Sequence, residues 1–186
     1  MGSISYARPA NTTPGQEALN YLQRNLWEGH TIVAHSVQST GTGQYGEWSQ
    51  VLYAAVDDGA GSVTAHVVLF SAASGDIRIK CLHEESGPAH WRAVPKKILT
   101  ALTPTTHEYA LEWRSNATRW HERRAAARRA IGSRVRLVRP LTYGQPIGEV
   151  SEVHVESLTT FRAHTGNGPR LAAPADWFDS DFTAVD

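Results

Sequence analysis

Four stretches between residues 31 and 83 constrain this chain more than anything else in it. TIVAHSVQ, SQVLYAAVD, SVTAHVVLF and DIRIKCLH are each rich in β-branched or aromatic residues. Between them lie TGTGQYGE, DDGAG and AASG, which carry the glycines and small polar residues of hairpin turns. Strands joined by such connections pair with their neighbours and run antiparallel, so the segment predicts a meander. Alternation within DIRIKCLH puts Ile77, Ile79, Cys81 and His83 on one face and Arg78, Lys80 and Leu82 on the other.

Helical sequence flanks the meander. Thr13, Pro14 and Gln16 have the spacing of a cap, a first-turn proline and a capping box, so a helix is predicted over 14–27 with Leu19, Leu22 and Leu26 on its core face. SISYA before it reads as a short edge strand. Pro95 opens a short helix through Leu102, which Thr103-Pro104 closes. A longer helix follows over about 107–129, with Tyr109, Trp113, Ala117, Trp120 and Ala127 as its apolar stripe. After Gly132 the style changes to short β-segments: RVRLVRPL, GEVSEVHVE, TTFRAH and PRLAAPADWF, with Asn167-Gly168 as a turn signal. The expected fold is therefore α+β. Residues 1–130 form an antiparallel meander sheet packed with helices, and residues 131–186 form a small SH3-like β-barrel.

With 186 residues, 41% hydrophobic and 19% charged, the chain can bury a sizeable core. The formal net charge of zero gives it no global pull toward nucleic acid or membrane. Its single cysteine, Cys81, excludes an intramolecular disulfide and a cysteine-rich zinc site, which fits a reducing cytoplasm. The N-terminus has no apolar signal-peptide core, and no run approaches the roughly 18 apolar residues of a membrane helix. A cytoplasmic protein without membrane contact is expected, and nothing in the sequence calls for a cofactor.

Four places hold chemistry-bearing residues, and each has a structural explanation beside the functional one. Gly41 to Gly46 matches G-x-G-x-x-G, but a strand-like run follows it where a dinucleotide site needs a helix, so a hairpin loop is expected. The stretch KCLHEESGPAHW, residues 80–91, offers Lys80, His83, Glu84 and Glu85 as base, acid and cation beside a Gly87-Pro88 turn. The same residues equally make a polar corner where a sheet hands over to helices. His83 and His90 lack a metal-binding spacing, so no metal is expected. Cys81 shares a face with Ile77 and Ile79, which points to a packed thiol, although His83 on that face leaves a dyad open.

The fourth place is basic. Nine arginines fall between Arg114 and Arg139, opposed there by Glu122 alone. Arg119, Arg123, Arg124, Arg128, Arg129 and Arg134 form the candidate surface for nucleic acid or a partner protein, because guanidinium groups grip phosphate two-pronged and Trp113 and Trp120 lie on the same helix. The bland alternative is a solvated helix face, complementing the helix dipole and the acids at Glu149, Glu152, Glu156, Asp176, Asp179, Asp181 and Asp186.

The order of motifs adds one more reading. VLYAAV, KCLHEESGP, PKKILTALTPT, EYALEWR and a closing RLAAPADWF resemble an uncharacterised family of unknown function found in actinobacteria, their phages and plasmids. The resemblance rests on Lys80, Glu84 or Glu85, Gly87-Pro88, Pro95, Leu102-Thr103-Pro104-Thr105, Ala110 and Trp113-Arg114, and covers about residues 50–180. Members carry a tryptophan after the initial Met-Gly, where this chain has Ser3-Ile4. The resemblance implies a mobile-element setting and no chemistry. Two functions are thus expected. The preferred one is a binding protein of phage or mobile-element origin that engages a host protein or nucleic acid, with host takeover or counter-defence as its setting. The alternative is a small enzyme with an acid/base site in the loop at 80–90.

Overall fold

A computed structural model describes residues 2–40, 46–87, 89–163, 168–174, 177–179 and 181–185. Its contacts divide the chain into Met1–Ala117 and Thr118–Asp186, a division that falls inside the longest helix. Both units are mixtures of antiparallel sheet and helix, so the α+β class holds.

The first unit is built on five strands: β1 (Ile4–Ala7), β2 (Thr31–Ser39), β3 (Gln50–Asp57), β4 (Val63–Ala73) and β5 (Asp76–His83). They lie in the order β1-β5-β4-β3-β2, every neighbour antiparallel. The four central stretches of the sequence thus form the expected meander, and SISYA is the expected edge strand. Ser74 and Gly75 make the turn between β4 and β5, with φ of 51° and 89°. A two-residue turn with both φ positive matches strand twist, and it sets Ala73 opposite Asp76 and His66 opposite His83.

Alternation gives this sheet two buried faces. On one, Leu52, Ala54, Val56, Val68, Phe70, Ile77 and Ile79 pack with Ala18 and Leu22 of helix α1 (Pro14–Asn25). On the other, Val51, Tyr53, Ala65, Val67 and Leu69 pack with Ile98 of the short helix α2 (Lys96–Leu99) and with Trp113 and Ala117 of helix α3 (Glu108–Arg129). Thr13 caps α1 by accepting from the Gln16 amide at 3.1 Å, as its sequence predicts. The reciprocal half of the capping box is absent, since the Gln16 side chain bonds Asn20 at 2.9 Å instead.

Two helix expectations need correction. Helix α2 stops at Leu99, short of Leu102, because Thr103 bonds the start of β4: its amide donates to the Val63 carbonyl and its hydroxyl accepts from the Val63 amide. In α3 the buried line runs through Ala110, Trp113 and Ala117, and Tyr109, in the first turn of the helix, is exposed.

The second unit holds the rest of α3 and a second sheet. Its strands are β6 (Arg134–Thr142), β7 (Glu149–Ser157), β8 (Thr160–Ala163), β9 (Arg170–Ala172) and β10 (Phe182–Ala184). They run antiparallel in the order β10-β6-β7-β8-β9. Among the described residues no pairing joins β9 to β10, so the sheet is open and the expected barrel closure is not seen. A 3-10 turn at Trp177–Asp179 supplies the aromatic centre. The Trp177 ring meets Phe161 edge-on at 4.9 Å and Phe182 at 5.0 Å, and its indole N–H donates to the Leu158 carbonyl at 3.0 Å. The Asn167-Gly168 turn signal falls at Asn167 outside the described residues. Among those described, no helix is long and apolar enough to cross a membrane.

Candidate functional site

The stretch at 80–91 is pulled in two directions by the pleat of β5. Glu84 opens a 3-10 turn (Glu84–Ser86) and is buried. Its carboxylate takes two hydrogen bonds from the Arg114 guanidinium, at 2.8 and 2.6 Å, and a third from the Ala65 amide at 3.0 Å. Arg114 also donates to the Thr103 carbonyl at 2.5 Å. A buried carboxylate hydrogen-bonded on both oxygens joins the end of β5 to α3 and is committed to structure. The loop beyond is fastened on the same side. The Trp113 indole donates to the Ala89 carbonyl and the Tyr53 hydroxyl to the Arg92 carbonyl. Gly87, at φ 154° and ψ 154°, takes a conformation that only glycine adopts freely.

Lys80 belongs to the α2/α3 face too, by alternation with Leu82, which packs there. Its charge reaches His90, whose imidazole burial and Lys80 together push below the usual histidine range. Cys81 packs against the opposite, α1 face, and burial pushes its thiol up to about 12. At neutral pH that sulfur is protonated and a poor nucleophile.

His83 faces away from Lys80. Its Nδ1 accepts from the Glu85 amide at 3.2 Å, and its Nε2 lies 3.0 Å from the Thr64 hydroxyl. An Nδ1 that accepts carries no proton, so the ring is the neutral Nε2–H tautomer, donating to Thr64. Burial pushes His83 below its ordinary value, against the opposing pull of Glu85 and Glu84. The cross-strand partner His66 meets it edge-on at 4.6 Å. Burial first and His83 second push His66 down to about 4. Both imidazoles are therefore uncharged at pH 7.

These two histidines line a hollow of about 530 Å³ on the α1 face. Glu85, Thr64 and Ser62 line it from the sheet side, Asp58 and His30 from neighbouring turns, and Asn25, Leu26 and Trp27 from the end of α1. Asp58 Oδ1 accepts from the Ala60 and Ser62 amides at 2.8 and 3.0 Å, bonds that hold its carboxyl below the usual range. Gly59 closes this turn at φ 75°; a Cβ there would sit 3.1 Å from the Gly29 carbonyl oxygen. Trp27 is 81% exposed, with His30 edge-on at 5.7 Å.

Of the quartet marked in the sequence, the structure brings His83 and Glu85 together and separates both from Glu84 and Lys80. Sequence reasoning missed His66, Thr64, Asp58, His30 and Trp27. The signal for His66 was present: a turn placed at Ser74-Gly75 sets it opposite His83. The G-x-G-x-x-G match lies, for residues 41–45, outside the described residues; it falls between the antiparallel strands β2 and β3 and precedes no helix.

The arginines are divided as well. Arg119, Arg128 and Arg129 are exposed on α3. Arg123 donates to the Asp179 carbonyl and reaches Asp181 at 3.3 Å. Arg124 lies over the Trp120 ring at 5.1 Å, and burial and Arg128 push its pKa down. Arg134 is half-buried on β6, and Arg136 pairs with Glu152. Arg162 and Arg170, outside the basic run, share Glu156.

Compared with protein-family models, curated proteins and solved structures, the chain gives no significant match.

Proposed function

We propose that this chain is a non-enzymatic accessory binding protein of phage or mobile-element origin. It acts in the cytoplasm of a bacterial host and engages nucleic acid through the arginines of the second half of α3, in the setting of host takeover or counter-defence. The observation that carries this reading is the exposure of Arg119, Arg128 and Arg129 on a helix stretch, residues 118–129, whose one acid is Glu122. Exposed guanidinium groups that form no ion pair among the described residues suit phosphate, and each contact made releases counterions. The motif order from VLYAAV to RLAAPADWF supports the mobile-element origin. Five short antiparallel strands support a kinship of the second sheet with SH3-like barrels.

Fluorescence anisotropy with labelled single- and double-stranded DNA tests the reading. Affinity is expected to fall steeply between about 50 and about 200 mM salt. Each of R119A, R128A and R129A is expected to reduce the salt slope by about one. Binding indifferent to salt, or none, removes the proposal. A partner that survives nuclease treatment in a pull-down from host lysate moves the surface from nucleic acid to a host protein.

The enzyme reading keeps one observation in its favour, the meeting of His83 and Glu85 in a hollow. It is the weaker reading. His83 holds its Nδ1 lone pair against an amide, Glu84 is matched by Arg114, and Lys80 belongs to the other face of the sheet.

A further inference from the structure

The hollow on the α1 face belongs to the first unit, and its chemistry is one-sided. Two carboxylates line it, Asp58 and Glu85, and among the described residues no lysine or arginine does. Asp58 uses Oδ1 on two amides, and its Oδ2 has no hydrogen-bond partner among the described residues. Glu85 Oε2 lies 3.7 Å from His83 Nδ1, but that nitrogen already accepts from the Glu85 amide and so offers the carboxylate no proton. His66 and His83 add no positive charge to offset the two acids while they stay neutral. At the rim stands Trp27, a large indole held in solvent beside Leu26, where burial elsewhere would be favourable. A concave site of about 530 Å³ is the size that takes a small organic molecule. Among the described residues no three His, Cys, Asp or Glu side chains are grouped to hold a metal ion.

We infer that this hollow binds a small organic cation, a protonated amine or guanidinium compound, whose charged end is taken by Asp58 and Glu85 and whose carbon skeleton packs on Trp27 and Leu26. An ammonium or guanidinium group gains from carboxylates and from the negative face of an indole together, and an uncharged or anionic ligand gains from neither. Thr64 and Ser62 supply hydroxyl groups that orient polar ends of such a ligand.

Isothermal titration of the full chain at pH 7.5 with agmatine and tryptamine tests this. The neutral comparators are N-acetylated tryptamine and an uncharged diol of similar length. At least one cation is expected to bind, with the comparators about tenfold weaker or worse. Glu85→Gln is expected to weaken the cation about tenfold and Trp27→Ala about threefold or more. Asp58→Asn is expected to act like Glu85→Gln, but it also touches a turn. Glu85→Gln and Trp27→Ala alter exposed or half-exposed side chains and keep the test sound if Asp58→Asn unfolds. Failure of both cations to bind at millimolar concentration overturns the inference. So does equal binding of the neutral comparators, or binding that Glu85→Gln and Trp27→Ala leave unchanged. DNA binding by the arginine surface is read separately, so either site can fail without the other.

Discussion

The two faces of the first sheet each bury one glutamate, and they treat it differently. On the α2/α3 face, both oxygens of Glu84 are matched, by Arg114 and the Ala65 amide, and Arg114 is itself mostly enclosed. On the α1 face, Glu17 Oε1 takes the Tyr6 hydroxyl at 2.8 Å and Arg24 at 2.7 Å, while its Oε2 is buried with no partner among the described residues. Arg24 is 56% exposed, so water screens that pair. On the first face the buried glutamate is paired at both oxygens. The second face is incompletely satisfied, and it carries the hollow, the neutral histidines and the bare Trp27. Polar groups left short of partners on an otherwise well-packed sheet mark the side on which a ligand has something to gain.

The sharpest way to break that contrast is at Arg114. Arg114→Ala leaves Glu84 buried without its counter-ion and is expected to cost about 3–5 kcal/mol in urea unfolding. Replacing both partners together, as Glu84→Leu with Arg114→Leu, is expected to cost clearly less than Arg114→Ala, because no charge is then stranded. A double variant as unstable as the single one would show that the pair acts through packing and not through charge.

Much of this contrast is legible in the sequence. The meander, the edge strand and the split of β5 into an Ile77–Ile79–Cys81 face and an Arg78–Lys80–Leu82 face follow from turn chemistry and alternation, because successive side chains of a pleated strand point to opposite faces. The division of the quartet was legible in part, since Lys80 and His83 have opposite parity. Glu84 keeps the parity of Lys80 and Leu82, but it sits where the strand ends and a 3-10 turn begins, so its burial was not legible. The Glu84–Arg114 pair spans thirty residues and depends on where α3 lies, which no local pattern carries. β10 was missed because three residues are too few for alternation to register. The helix predicted to reach Trp27 stops at Asn25 and Leu26 is already extended, which turns the indole into solvent.

A second test uses pH and the histidines of the α1 face. His66 falls from an ordinary 6.5 to about 4 in the folded protein, so the unfolded chain binds its proton first as pH drops. The stability tied to the neutral ring is whole above about pH 6.5 and is lost as pH falls toward 4. That amounts to about 3 kcal/mol, since one unit is worth about 1.4 kcal/mol. The charged and titratable groups around it are His83, His30, Asp58 and Glu85. His66→Gln is expected to flatten the dependence between pH 7 and pH 4 relative to the unaltered chain. Parallel curves for the two proteins would mean that the ring is solvated and the face more open than its packing indicates.

The smallest effect is expected at Glu17, and it bears most directly on the comparison. Burial pushes this carboxyl up, and the bonds from Arg24 and Tyr6 outweigh burial to leave it below its ordinary 4.5. Its contribution is present above that value and fades as pH falls below it. Burial first, and the bond to Glu17 second, push Tyr6 up to about 12, so the phenol is a donor at any working pH. Tyr6→Phe removes that donor and is expected to cost about 1–2 kcal/mol at pH 7, less than Arg114→Ala on the other face. The deficit is expected to shrink on acidification toward pH 4, because the variant's carboxyl, with one fewer bond to its charged form, takes up a proton more readily. Arg24→Ala is expected to cost less again, its guanidinium being largely in water. If Tyr6→Phe matches Arg114→Ala in cost, the α1 face is as tightly closed as its opposite, and the physical ground for placing a ligand there weakens with it.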